Sequence, residues 1–422
     1  MRFQLAIPLG LTLHYAVQAH AEPSQTIRSL PIGRGNRFKN GTAALTGLGL
    51  GERDLGSLLN IDEIQTGLEQ LADEFPQVQM VEAPYKTFEG RKVYGAAIGE
   101  PRVVIASGIS AAERGGPDFV LYFLSDLLYA NKTGVGLVYG NQTYTKEQVT
   151  TALSAGVAAL PLSNPDGAVH DSSTGDCWTK NRNTTTIEGD KQRGGVHLDQ
   201  NFPFEWKGED PALRHHVSRG ERFLFFPGYA PQSEAETQNM MWFINKFDDV
   251  SWYLSLRPAG FMAVQWGWGH ADVQTSDAAQ NFRNSTYKGC FGAELSEAST
   301  APPYKEYTEP DARASQEAAA TRIARPFRGT VVQHWGRGPP STGASTDWAS
   351  SGYYGHECGA NRINSLTLDP MSAAMVFGRG NCFLSYPSSR SYHEGMRGAG
   401  AGLMELLLHA AGPDGEPRRW QC

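Results

Sequence analysis

Short, almost wholly apolar runs alternate along this chain with helix-patterned segments, and that alternation constrains the fold more than any other feature. Lys92–Ile98, Arg102–Ala106, Val157–Leu162, Ser251–Leu256 and Asn364–Leu368 read as strands. The middle ones lack the polar alternation of a half-exposed strand, so they are buried on both faces, as parallel strands are. Between them, Ile61–Leu71 carries Ile64, Leu68 and Leu71 on one helical face, and Pro117–Leu128 is too apolar for a surface helix. Ser233-Glu234-Ala235-Glu236 reads as a capping box before Met240, Met241, Phe243 and Ile244. Further helices are expected near Ala312–Ile323 and Ala399–Ala411. The pattern predicts an α/β fold: a mixed, largely parallel sheet sandwiched between helices. No internal repeat is present.

Residues 1–21 read as a signal peptide. Arg2 is basic, Leu5–Val17 is mostly apolar, and Ala19-His20-Ala21 offers a small-x-small cleavage site before Glu22. Residues 22–56 are rich in Gly, Ser, Thr and Arg without an apolar period and are expected to be a flexible lead-in. One domain is expected over 57–412, followed by a tail at 413–422. Sequons at Asn40, Asn131, Asn141, Asn183 and Asn284 suggest a glycosylated protein that is secreted or held in the secretory lumen. The cysteines are Cys177, Cys290, Cys358, Cys382 and Cys422, an odd set that allows two bridges, with Cys358–Cys382 expected as one. None has the spacing of a cysteine zinc site. The net charge of −7 argues against nucleic-acid or anionic-membrane partners. A monomer meeting a peptide or small-molecule ligand is expected.

Nine segments, in order, resemble the M14 zinc carboxypeptidase family. They are Glu89–Arg91, Ser107–Glu113, Leu162–Gly167, Trp178–Arg182, Gly195–Phe202, Ser233–Thr237, Leu254–Gly260, Thr346–Trp348 and Leu366–Asp369. The resemblance runs from about Leu58 to Ala411 and implies the zinc carboxypeptidase fold for residues 57–412.

The same resemblance implies a chemistry that these residues do not supply. The family holds zinc with a His and a Glu three residues apart and a distant second His, leaving one position for water. The first His falls on Ser110, the Glu on Glu113 and the second His on Arg257. Serine is a poor zinc ligand, and guanidinium has no lone pair to donate. The groups that would clamp a peptide carboxylate and polarise its carbonyl fall on Ala112, Thr179, Asp199 and Gln200, so the anion pocket has lost its cations. The base falls on Asp369, one methylene shorter than glutamate. Zinc is therefore expected to be lost.

Three arrangements could replace the metal site. An inert one pairs Glu113 with Arg257, because the glutamate left without zinc would be a costly buried anion. A reactive one makes Ser110 a nucleophile and His197 its base, with Asp199 or Glu113 orienting the imidazole and Arg257 stabilising an oxyanion; Asp369 is a further candidate catalytic residue. A third keeps only a binding cleft whose floor is lined by aromatics such as Trp178, Trp266, Trp268, Trp348 and Tyr353, with Thr179, Asp199, Gln200 and Arg257 as candidate substrate-binding residues. The leading expectation is a non-peptidase with a binding or scaffold role. A repurposed hydrolase or acyl transferase is the alternative, and residual metallocarboxypeptidase activity is the least expected.

Overall fold

Val103 and Ile105 point into one hydrophobic layer, Val104 and Ala106 into another. That split follows from the two-residue repeat of a strand whose two faces are both covered. The computed structural model describes residues 30–39, 41, 43–186, 194–204, 206, 226–268, 274–284, 306–332, 343–372, 386 and 388–422. The signal-like start, Cys290 and Cys382 lie outside these residues.

The main sheet has eight strands: β1 (Val78–Glu82), β2 (Tyr94–Ile98), β3 (Val103–Ser107), β4 (Val157–Leu160), β5 (Trp252–Leu256), β6 (Phe261–Trp266), β7 (Thr330–Val332) and β8 (Asn364–Ser372). Their order is β1-β2-β4-β3-β5-β8-β6-β7. The central β4, β3, β5 and β8 are mutually parallel. The β1–β2, β2–β4 and β8–β6 pairs are antiparallel, and β7 runs parallel to β6. This is the mixed, largely parallel sheet read from the sequence.

Helices α1 (Ile61–Glu74), α2 (Gly116–Thr133), α3 (Lys146–Ser154), α4 (Pro165–Thr174), α5 (Ala235–Asn245), α6 (Pro310–Ala324), α7 (Ser345–Tyr354) and α8 (Ser389–Ala410) complete the frame. Residues of α1, α2, α3, α6 and α8 pack on one face of the sheet, and Met240, Phe243, Ile244 and Ala349 of α5 and α7 on the other. α8 begins ten residues before the expected Ala399. Its first turns hold Tyr392, Gly395 and Met396 against Phe119 and Met371, a contact pattern that its many glycines hide from a periodicity count. The capping box is not made: Glu234 is the N-cap residue of α5 and makes no side-chain cap bond, while Ser233 donates to Glu234 Oε1 at 2.8 Å and accepts from Asn201.

The lead-in is a correction. From Leu30 onward it packs on the domain, burying Leu30, Phe38, Leu45, Leu48 and Leu55. Ile32 forms a β-bridge with Leu58, tying the segment to the start of the domain. Its glycine amides find acceptors in a helix: Gly47 and Gly49 donate to the two oxygens of buried Asp126 on α2, at 2.6 and 2.8 Å. Irregular backbone can be buried only when its polar groups are matched in this way. The apolar residues are spaced too unevenly to show a period.

The expected disulfide is also corrected, at the end of the chain. Residues 418–420 hydrogen-bond to residues 359–362, Trp420 stacks on His356 with ring centres 3.6 Å apart, and Cys422 forms a disulfide with Cys358. Cys358 therefore pairs with Cys422, not with Cys382, because the end of the chain returns beside it. Cys177 is likewise disulfide-bonded. The Cys358–Cys422 bridge closes 64 residues. Cys422→Ser should lower unfolding free energy by about 3 kcal/mol, read by urea denaturation; an unchanged midpoint would mean that the link constrains nothing.

Candidate functional site

Strands β3, β5 and β8 lie side by side and parallel, so their carboxyl ends open at one place, where α/β sheets hold their ligands. Ser110 and Glu113 sit in the turn between β3 and α2, Arg257 follows β5, and Asp369 lies on β8 one residue beyond the Leu368–Leu256 pair. Gly108 sets the direction of the first turn. Its φ is +62°, and a Cβ there would come within 3.2 Å of Leu162 Cα, so only glycine suits. Asp199 comes from a single 3-10 turn, Leu198–Gln200.

The guanidinium of Arg257 lies between two carboxylates. Its Nη2 donates to Glu113 Oε1 at 2.7 Å and its Nε reaches Glu113 Oε2 at 3.1 Å, a forked pair. Its Nη1 donates to Asp199 Oδ2 at 2.5 Å. Asp199 Oδ1 in turn accepts from the backbone N–H and hydroxyl of Ser345, at 3.0 and 2.8 Å. Ser345 is the first residue of α7, so the helix N-terminus adds its partial positive charge. Glu113 and Asp199 are nearly buried, while Arg257 is partly exposed. Burial works against the charged guanidinium, yet Glu113 and Asp199 more than offset it and raise the Arg257 pKa above its ordinary value. Arg257 thus stays cationic at every physiological pH. The Glu113–Arg257 pair expected from the sequence is present, extended by Asp199.

The other candidates stand apart from this network. Among the described residues, no hydrogen bond joins Ser110 Oγ to His197, and neither Thr179 nor Gln200 adds a side-chain bond to the Arg257 network. Asp369 accepts from the amides of Phe261 (2.6 Å) and Met371 (3.0 Å), and burial pushes its pKa up to about 7. His197 is buried, its amide donates to Phe226 O, and burial, then Arg257, press its pKa down to about 4. A group whose folded pKa lies below its unfolded value contributes stability above the unfolded pKa, near 6.5, and loses it as pH falls towards 4. The parent should therefore lose on the order of 2 kcal/mol relative to His197→Gln between pH 7 and pH 4, measured by urea unfolding across that range. Parallel pH profiles would show that His197 does not carry the loss.

The tryptophans expected along the cleft floor are anchors. Trp266 and Trp268 are buried, Trp268 stacking on Phe204 at 5.1 Å and donating to Thr308. Trp348 packs on Phe202, and Trp178 lies under Lys180 and Arg182 while its Nε1 donates to Asn181 O.

Two sets of residues that matter here were missed by sequence reasoning. Ser345 lies just before the Thr346–Trp348 segment, but nothing in its neighbourhood marks it as a partner of Asp199. Behind the site, Asn181 ties three matched segments together. Its Nδ2 donates to Glu234 (2.7 Å) and Glu236 (3.2 Å), and its Oδ1 accepts from the Val196 amide. The signal existed, since all three segments belong to the resemblance, but spacing alone does not show that they meet.

The donor set does not suit zinc. Glu113, the one retained ligand type, already holds a guanidinium, and a second cation at its carboxylate would be repelled by Arg257. Among the described residues no group of three or more His, Cys, Asp or Glu could hold a metal ion, and no helix is long and apolar enough to cross a membrane.

Solved structures place the architecture among carboxypeptidases. The fold is similar to that of carboxypeptidase A from Helicoverpa armigera, with a TM-score of 0.56 and 19% identity over 83% of this chain and 74% of that one. It is similar to thrombin activatable fibrinolysis inhibitor at the same TM-score, with 15% identity over 84% of this chain and 75% of the other. At these identities the likeness concerns the fold alone. Residues 64–354, more than half of the chain, match the family described as zinc carboxypeptidase (Peptidase M14), and the chain belongs to that family. Among curated relatives, it is 29% identical over 157 residues to the Inactive metallocarboxypeptidase ECM14 of Saccharomyces cerevisiae, covering 35% of this chain and 33% of the relative. It is 27% identical over 201 residues to carboxypeptidase B of Rattus norvegicus, covering 46% and 44%. The matches thus span between a third and a half of these relatives' lengths.

Proposed function

We propose that this protein is a secretory M14 family member that does not cleave peptides, and that its former metal site is a structural ion-pair hub supporting a binding or scaffold role. The observation that carries this reading is the guanidinium of Arg257 bonded to both Glu113 and Asp199. The cation neutralises the glutamate that zinc would otherwise engage, and its charge is taken up by two carboxylates rather than offered to a substrate. Similarity to a relative named as inactive supports the reading. The partner or ligand is proposed to be a peptide or small molecule, met by a monomer. An acyl-transfer reading would rest on a Ser110–His197 hydrogen bond, and none is present among the described residues.

The test is zinc content after exposure to zinc and gel filtration, together with release of C-terminal residues from peptides. The expected result is no retained zinc and no release. One zinc per chain, or release that a chelator abolishes, would refute the proposal.

A further inference from the structure

The five sequons are not equivalent in the fold. Asn141 is the second residue of the two-residue turn Gly140-Asn141, which joins the short strands Leu137–Tyr139 and Gln142–Tyr144. Gly140, at φ +62°, fits the first central position of such a turn. Asn141 and Thr143 are exposed, and the Asn141 side chain makes no hydrogen bond among the described residues.

Asn131 lies near the C-terminal end of α2 and is exposed, as is Thr133. Its Oδ1 accepts from Thr150 while its Nδ2 makes no hydrogen bond among the described residues. A depression of about 400 Å³, lined by Asn131, Gly134, Lys146 and Thr150, opens beside it. α2 has 18 residues and starts three residues after Glu113, so Asn131 lies roughly 25 Å from the ion-pair hub along the helix axis. The hairpin bearing Asn141 follows α2 directly and shares that pole.

Asn183 is held differently. Its Nδ2 donates to Glu234 Oε2 at 3.0 Å, on the buried carboxylate that also takes Asn181. Its Oδ1 accepts from the amide and hydroxyl of Thr185, at 3.2 and 2.6 Å. A sugar on that nitrogen would be driven against Glu234 and would loosen the Asn181 link between the matched segments. The sequons at Asn40 and Asn284 include residues outside those described.

We propose that N-linked oligosaccharide is carried by Asn131 and Asn141, at the pole remote from Arg257, and that Asn183 stays unmodified. This rests on the secretory reading above. The sugars then shield one end of the molecule and leave the carboxyl ends of β3, β5 and β8 open to a partner.

The experiment expresses the full chain in a eukaryotic secretory host and collects it from the medium. It is deglycosylated in heavy-oxygen water with an enzyme that converts the linked Asn to Asp, and the peptides are read by mass spectrometry. Labelled Asp is expected at 131 and 141, unlabelled Asn at 183, and a smaller gain in gel mobility on deglycosylation for Asn131→Gln/Asn141→Gln than for the parent. A chain in the medium with Asn183 labelled, or with both Asn131 and Asn141 bare, overturns the site assignment while leaving the secretory reading standing. A chain retained in the cytosol overturns the secretory reading and the glycan sites with it.

Discussion

Arg257→Ala should cost about 3 kcal/mol of unfolding free energy, towards the lower end of what removing one partner of a buried ion pair costs. The substitution leaves Glu113 and Asp199 as two anions facing one another with their shared cation gone. Partial exposure of Arg257 lets water reach the gap, which sets the lower end. Asp199 keeps its bonds from Ser345, so Glu113 carries most of the penalty. Two controls separate charge from packing. Arg257→Met, which refills much of the volume, should recover little. Adding Glu113→Gln to Arg257→Met should recover most of the loss, since replacing both partners removes the stranded charge. The gap between Arg257→Ala and the parent should also narrow in acid, where stranded carboxylates are neutralised. Urea denaturation gives all of these values. A loss below about 1 kcal/mol would place the triad among ordinary surface pairs and remove the structural role proposed for it.

Ser110→His combined with Arg257→His should retain one zinc per molecule, where the parent is expected to retain none. Glu113 is in place, and Ser110 sits one turn before it, the Glu113 amide donating to Ser110 O at 3.1 Å. Arg257 points its side chain at the same carboxylate from the neighbouring strand. Two imidazoles and a carboxylate with an open fourth position are a sufficient donor set. Each single variant offers only two good ligands and should retain no metal after gel filtration. The double variant should still fail to release C-terminal residues, because Ala112, Thr179, Asp199 and Gln200 offer no clamp. Elemental analysis decides the first point and a peptide-release assay the second. A double variant without zinc would mean that these positions do not converge as the ligands of a metal centre do.

The fold was legible because its central strands are apolar on both faces and several helices are strongly apolar; Arg102–Ala106 and Pro117–Leu128, read from pattern alone, fall on the strand Val103–Ser107 and the helix Gly116–Thr133. The Glu113–Arg257 pair was legible because a lone buried anion demands a cation. The third member was not. Asp199 could be read as a lost clamp residue, but its capture by the N-terminus of α7 depends on where a distant loop lands. The lead-in and the C-terminal stitch escaped for a different reason. Both are held by backbone amides and scattered side chains, which leave no period in a sequence. Ser110 and His197 share no hydrogen bond among the described residues, and matching reach in a sequence does not by itself fix side-chain direction.

β5 lies between β3 and β8, which come from residues about 150 earlier and about 110 later in the chain. The middle of the sheet therefore cannot be finished by any local piece of the polypeptide. Contacts this remote fold slowly, because loop closure must be accomplished before they gain anything, and strand edges stay open meanwhile. Arg257 meets Glu113 and Asp199 only once β3, β5 and the 196–200 loop are all in register. The ion-pair network is therefore a feature of the completed sheet alone, which no local segment of the chain can assemble.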